Sequence, residues 1–152
     1  MKNLLIENVK VLDGLESIKL YSNFDEVVKY LKDNQIKYIY EFWSNKGCTP
    51  EVPWKIIRIQ NSINLFFAKD KLWKIYLEND YQGSLNNGIK LGMKLDEALK
   101  IDKSLVYDDW DEVYTSKDFY DIEDNLDDNT IMSISVFIKE MSDDEVFYKY
   151  EW

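Results

Sequence analysis

The chain has no histidine, one cysteine, two prolines and five glycines in 152 residues. Each shortage removes a class of chemistry. Ser-His-Asp and Cys-His nucleophile activation need a base that titrates near neutrality, so both are excluded. Imidazole zinc sites are excluded with them, and a lone thiol cannot build a thiolate site. The glycines at 14, 47, 83, 88 and 92 spell neither G-x-G-x-x-G nor G-x-x-x-x-G-K-[ST], and no Ser-x-x-Lys pair occurs. No lysine has an acid two residues before it, as the [DE]-x-Lys core of many metal-dependent nucleases does. Cys48 cannot form an internal disulfide and lies in the loop-like stretch Asn45 to Pro50, so it reads as an incidental thiol in a reducing compartment. Long apolar runs are missing too. Leu4, Leu5 and Ile6 give way to Glu7, far short of a signal-peptide core of about 7 residues or more, and nothing approaches the roughly 20 residues of a spanning helix. The cytoplasm is the expected compartment, with no cofactor and no membrane partner.

What the chain does have is acid, placed unevenly. Residues 1–100 hold 15 Lys+Arg against 13 Asp+Glu, whereas residues 101–152 hold 4 against 16, which accounts for the net charge of -10. An asymmetry of this size bears on partners, because clustered like charges attract the opposite sign and repel anionic lipid. The expected partner is basic. Hydrophobic residues make up 45% of the chain, including 7 Phe, 11 Tyr and 5 Trp, which is too apolar for a disordered segment. One domain of this length buries roughly 70% of the unfolded surface.

The order of patterns predicts an α+β single domain, mainly antiparallel sheet, with one N-terminal helix and one short middle helix. Asp13-Gly14 between Val9–Leu12 and Ile18–Tyr21 predicts a hairpin. Asn23 and the spacing of Phe24, Val27, Val28 and Leu31 predict a helix over 24–34. Period-two alternation then marks strands at 38–43, 57–59, 63–67 and 72–77, with breaks at Gly47, Pro50, Pro53, Asn61-Ser62 and Lys69-Asp70. A Gly/Asn turn over 83–88 leads to a short helix over 95–100. Strands are expected at 111–115, at 119–123 and, most clearly, at 130–140, where Met132, Ile134, Val136 and Ile138 share one face. The terminal Val146, Tyr148, Tyr150 and Trp152 fit a strand or a helical turn starting at Ser142.

Within the acidic third, Tyr107, Asp108, Asp109, Trp110, Asp111, Glu112 and Tyr114 gather four carboxylates and three large aromatics. Interfaces favour this mixture: aromatics anchor, and carboxylates meet Lys/Arg and speed encounter. A second acidic run contributes Asp118, Asp121, Glu123, Asp124, Asp127 and Asp128. Asp121, Glu123, Asn125 and Asp127 alternate like calcium-loop ligands, but Leu126 stands where that loop needs glycine and Met132 where it needs glutamate, so an EF-hand is excluded and an irregular site left open.

The segments Tyr81-Gln82-Gly83, Gly88-Ile89, Gly92-Met93, Leu95, Asp108 to Tyr114 and Ile131 to Glu140 resemble small bacterial immunity proteins of polymorphic or contact-dependent growth-inhibition toxin systems. The resemblance covers residues 81–140 and assigns nothing to the N-terminal half. It implies a cytoplasmic, non-catalytic protein that occludes the active site of a basic cognate toxin, often a nuclease, with acidic and aromatic side chains. Two alternatives stand beside it. One is a carboxylate-based hydrolase, or a small-ligand or carbohydrate-binding module, using the aromatic strands 38–43 and 66–76. The other is mimicry of nucleic-acid phosphates. Two close carboxylates in a deep pocket, one with a raised pKa, would favour the enzyme; a broad acidic face would favour the binder.

Overall fold

A computed structural model describes residues 2–44 and 52–152, so Cys48 and the breaks at Gly47 and Pro50 lie outside the described residues. Its strands are β1 (Val9–Lys10), β2 (Gly14–Leu15), β3 (Ile39–Trp43), β4 (Trp54–Ile59), β5 (Ile63–Ala68), β6 (Lys71–Glu78), β7 (Val106–Asp108), β8 (Val113–Ser116), β9 (Tyr120–Asp124) and β10 (Ile131–Phe137). Its α-helices are α1 (Phe24–Asp33), α2 (Leu95–Ile101) and α3 (Asp144–Phe147). Strands β3 to β6 and β7 to β10 form two antiparallel meanders, and β6 pairs with β10 to join them in the order β3-β4-β5-β6-β10-β9-β8-β7. The charge boundary read in the sequence lies at the end of α2, between the two meanders, although residues 138–152 return to pack against β4 and β6. One half of the sheet is near-neutral and the other acidic.

Local chemistry explains most of these elements. The Asn23 side chain accepts from the Asp25 amide at 2.9 Å, capping α1 where Asp25 and Glu26 meet its positive end. Both tight hairpins turn on two successive residues of positive φ: Gln60 and Asn61 between β4 and β5, and Lys69 and Asp70 between β5 and β6. Such turns match the twist of the flanking strands. At the C-terminus the helical alternative is the one found, with Asp143 accepting from the Glu145 amide at 3.0 Å ahead of α3.

Two expectations need correction. The N-terminal hairpin is shifted: β1 pairs Val9 with Leu15, and Ile18–Tyr21 supplies only an isolated bridge from Lys19 to Gly14. Gly14 enters the second strand at φ +117, where a Cβ would lie 2.7 Å from the Ile18 carbonyl oxygen, so it is needed there rather than in the turn. In β10 the register shifts between Ile131 and Ser133. That bulge turns Met132 outward and hands its inner place to Ile131.

The sheet has two different faces. On one, Ile57, Leu65, Ile75, Val136 and Tyr120 lie side by side across five strands and are fully buried, in one core with Val27 and Leu31 of α1 and Ala98 of α2. Phe24 meets Phe67 edge-on at 5.2 Å. On the other, the cross-strand row reads Arg58, Asn64, Tyr76, Ser135, Asp121, Thr115. Arg58 donates to Asn64 at 2.8 Å, Asn64 to Glu78 at 3.1 Å, and Tyr76 to Glu123 at 3.4 Å. Aromatics from the C-terminus cover one end of this face: Phe147 packs on Trp73 at 4.9 Å and stacks on Trp152 at 5.5 Å.

Asp102, at the end of α2, ties the acidic meander to the body. Its carboxylate accepts from the Ser104 amide and hydroxyl, the Ser116 hydroxyl and the Tyr120 hydroxyl, at 2.6–2.9 Å. Burial pushes its pKa up, but the donors from Ser104, Ser116 and Tyr120 outweigh that and hold it at about 2 against an ordinary 3.8. A folded-state pKa below the unfolded one stabilises above 3.8 and is lost as pH falls towards 2. Asp102→Asn should lower stability by about 2 kcal/mol at neutral pH. Urea titrations of both proteins should converge as the pH drops through that window, and equal midpoints at neutral pH would refute the role.

Candidate functional site

The β7–β8 hairpin carries the acidic, aromatic stretch to an edge of the sheet. Tyr107 and Tyr114 are cross-strand partners whose rings meet at a tilt of 56° with centroids 5.1 Å apart, a pairing of the kind that stabilises a hairpin. At its end the Asp108 carboxylate accepts from the Trp110 amide at 2.9 Å and the Asp111 amide at 3.3 Å, while Glu112 takes a positive φ of 56°. This side-chain turn leaves no ladder partner over Trp110. The indole is 93% exposed, flanked by Asp108, Asp109, Asp111 and Glu112, all exposed.

Between this arm and the C-terminal 3-10 turn Lys139–Ser142 lies an open cleft of about 960 Å³. Tyr107, Asp108, Asp109, Trp110 and Asp111 line one wall; Phe137, Met141, Ser142 and Asp144 the other; Thr115, Ser116, Lys117, Phe119, Val106 and Asp121 complete it. Asp121 is the unusual member. Its Oδ1 is buried and has no hydrogen-bond partner among the described residues. Burial drives its pKa up to about 6, with the Asp111 and Asp108 charges adding to the shift and Thr115 and Lys74 opposing it. Lys74, one strand beyond Phe137, responds in kind. Its pKa is lowered by burial, against the pull of Asp121, Glu123 and Asp111, and its ammonium lies 5.2 Å from the Phe66 ring centre and 5.8 Å from that of Tyr76.

Of the residues singled out in the sequence, Tyr107, Asp108, Asp109, Trp110, Asp111 and Asp121 meet in this cleft. Glu112, Tyr114, Asp118, Glu123, Asp124, Asp127 and Asp128 do not line it. Asp124 lies close enough to Tyr107 and Tyr114 to raise both phenols, after the larger effect of burial. Asp118 follows β8 and is exposed. Asp127 and Asp128 occupy the β9–β10 turn, where Asp128 accepts from the Thr130 amide and hydroxyl. Asp121 and Glu123 stand in an extended strand rather than a ligand loop, and among the described residues no three potential ligands converge on a point that could hold a metal ion. Lys74 went unread in the sequence, although a single lysine between Trp73 and Ile75 in an apolar strand was a visible signal. Phe137, Met141 and Asp144 had no local signal, since only the fold brings them opposite Trp110.

No family model matches the chain, and no curated protein does. Among solved structures, the crystal structure of the uncharacterized protein YfeY from Escherichia coli is similar, with a TM-score of 0.52 and 10% sequence identity over 86% of this chain and 99% of that one. That likeness shows a fold. No helix among the described residues is long and apolar enough to cross a membrane.

Asp121 yields a stability test. Its folded pKa of about 6 exceeds the ordinary 3.8, so the folded state is penalised above about 6 and relieved as pH falls through 3.8. Asp121→Asn should therefore stabilise the protein at neutral pH, by up to about 3 kcal/mol, with the gain shrinking on acidification. A loss of stability at neutral pH in urea titrations would contradict this environment.

Proposed function

We propose that the chain is a non-catalytic immunity protein that binds and neutralises a basic cognate toxin, through the β7–β8 arm and the cleft beside it. The observation that carries this reading is the exposed Trp110 held among four carboxylates. A hairpin tip that needs no tryptophan for folding presents one to solvent, beside charges that attract cations. Burying such a ring against a partner supplies a hot spot, and the surrounding acids steer a basic surface onto it. Asp121 supports the same reading: a carboxylate that weakens the isolated fold gains a counter-ion when an Arg or Lys of the partner enters. The cytoplasm, where such a toxin acts, is the compartment this function requires.

A second reading rests on the same residue. Asp121, pushed up to about 6 and facing Asp111 and Asp108, has the form of a general acid with carboxylate neighbours. In that reading the cleft takes a sugar or another small neutral ligand. Oligosaccharide titrations followed by amide chemical shifts separate the two: saturable shifts confined to the cleft support the small-ligand reading, and their absence leaves the protein partner.

The deciding experiment is growth protection on co-expression with a toxin domain encoded beside this chain. Wild type should protect. Reversal of Asp108, Asp109, Asp111 and Glu112 to Lys should abolish protection, and Trp110→Ala should weaken binding by about 30-fold. Association should slow steeply with salt because the attracting charges are exposed. Full protection by the quadruple variant would sink the proposal.

A further inference from the structure

The two edges of the eight-stranded sheet are built differently. β7 is short, ends in Asp108 and runs into Asp109, and charge of this kind discourages strand addition. β3 at the opposite edge has five residues, Ile39-Tyr40-Glu41-Phe42-Trp43, and pairs with β4 without a register shift. Ile39 is 66% exposed, Phe42 57%, and Tyr40 and Trp43 47% each. No lysine, proline or bulge interrupts the strand. Its single charge is already satisfied: Arg58 grips the Glu41 carboxylate with Nε at 2.9 Å and Nη2 at 3.2 Å, and the Trp43 indole donates to it at 3.3 Å. An edge of this kind presents unpaired backbone groups and apolar side chains on both faces.

We propose that a second copy of this chain pairs with β3, antiparallel and about a two-fold axis at Glu41, continuing the sheet from one molecule into the next. In that register Ile39 faces Trp43 and Tyr40 faces Phe42, so aliphatic meets aromatic and aromatic meets aromatic, the combinations that stabilise cross-strand pairs. Glu41 faces its own symmetry mate, and each carboxylate is held by its own Arg58. The interface is isologous and closes on itself, so it yields a dimer rather than a fibre. Charge selects this occupant and this edge. Two chains of net charge -10 repel, yet the other meander, residues 106–137, holds ten Asp+Glu against one Lys, the densest share of the acid. Seven strand spacings of about 4.8 Å separate the two edges by about 34 Å, several times the screening length of about 8 Å. The near-neutral β3 edge is where two copies approach with least repulsion, and the pairing leaves both acidic arms at the far ends.

The test is sedimentation equilibrium of the untagged full-length protein from micromolar to millimolar concentration, with hydrogen exchange of the β3 amides alongside. Wild type should reach twice the chain mass, and amides 39–43 should gain protection as the dimer fills. Ile39→Glu/Phe42→Glu places acids on the two most exposed side chains of the strand, opposite Arg58 and Lys55, so its circular dichroism and urea midpoint should match wild type while the dimer is lost. A chain that stays monomeric throughout overturns the proposal, as does a dimer that survives the double substitution or leaves β3 exchange unchanged. A foreign strand found on β3 in its place overturns it too.

Discussion

The pairing of β6 with β10 is the contact on which the rest of the molecule depends. Ile75 against Val136 and Leu77 against Ile134 are fully buried, and they join residues some sixty positions apart in the chain. Without this ladder each meander would present an unpaired inner edge and half a core. With it, β7 is carried to one limit of a single sheet and β3 to the other. The acidic arm stands far from the neutral body for that reason, and not because of any property of the arm itself.

Alternation across this sheet separates folding from presentation. The inner rows are aliphatic and close on α1, α2 and the N-terminal segment, which supplies the stabilising burial. The outer row is polar from Arg58 to Thr115, with Asn64 and Ser135 buried and the other four half-buried, so its groups need partners within the protein. Its occupants satisfy one another over β4, β5 and β6. Across β9 and β8 the pattern breaks down, leaving Asp121 without a donor on Oδ1. Asp102 and Asp121 sit on opposite sides of this divide: one carboxylate is stabilised by four donors and anchors the arm, and the other is destabilised by burial and by its acidic neighbours. The same side-chain type serves structure in one place and is available for recognition in the other.

Much of the architecture was legible in local patterns. Helix α1, strands β3 to β6 and α2 follow from capping, periodicity and turn residues, because each signal acts within a few positions. The misplaced elements depend on pairings that local pattern does not encode, even where the partners are close in the chain, as when β1 meets β2 and not Ile18–Tyr21. The β10 bulge depends on what β9 and β6 present to it, so the Met132, Ile134, Val136, Ile138 alternation overstated the regularity of the strand. Strand β7 was hidden because Val106 to Asp108 are exposed on both faces and have no period of their own; they are a strand only because β8 pairs with them.

The sequence by itself determined the composition of the candidate site and the exclusions around it. Missing histidine, sparse glycine and segregated acid are properties of residue identity, and no fold can alter them. Whether Trp110 would be core or surface was open until the Asp108 turn put it at a hairpin tip. That Asp121 would join it while Asp127 and Asp128 would not was equally undecided, because cross-strand register sets which residues of β9 share a face with the cleft. The bare β3 edge belongs to the same category, since a strand becomes an edge only when all its neighbours are known. Identity is local, whereas proximity and exposure belong to the whole chain once it has closed on itself.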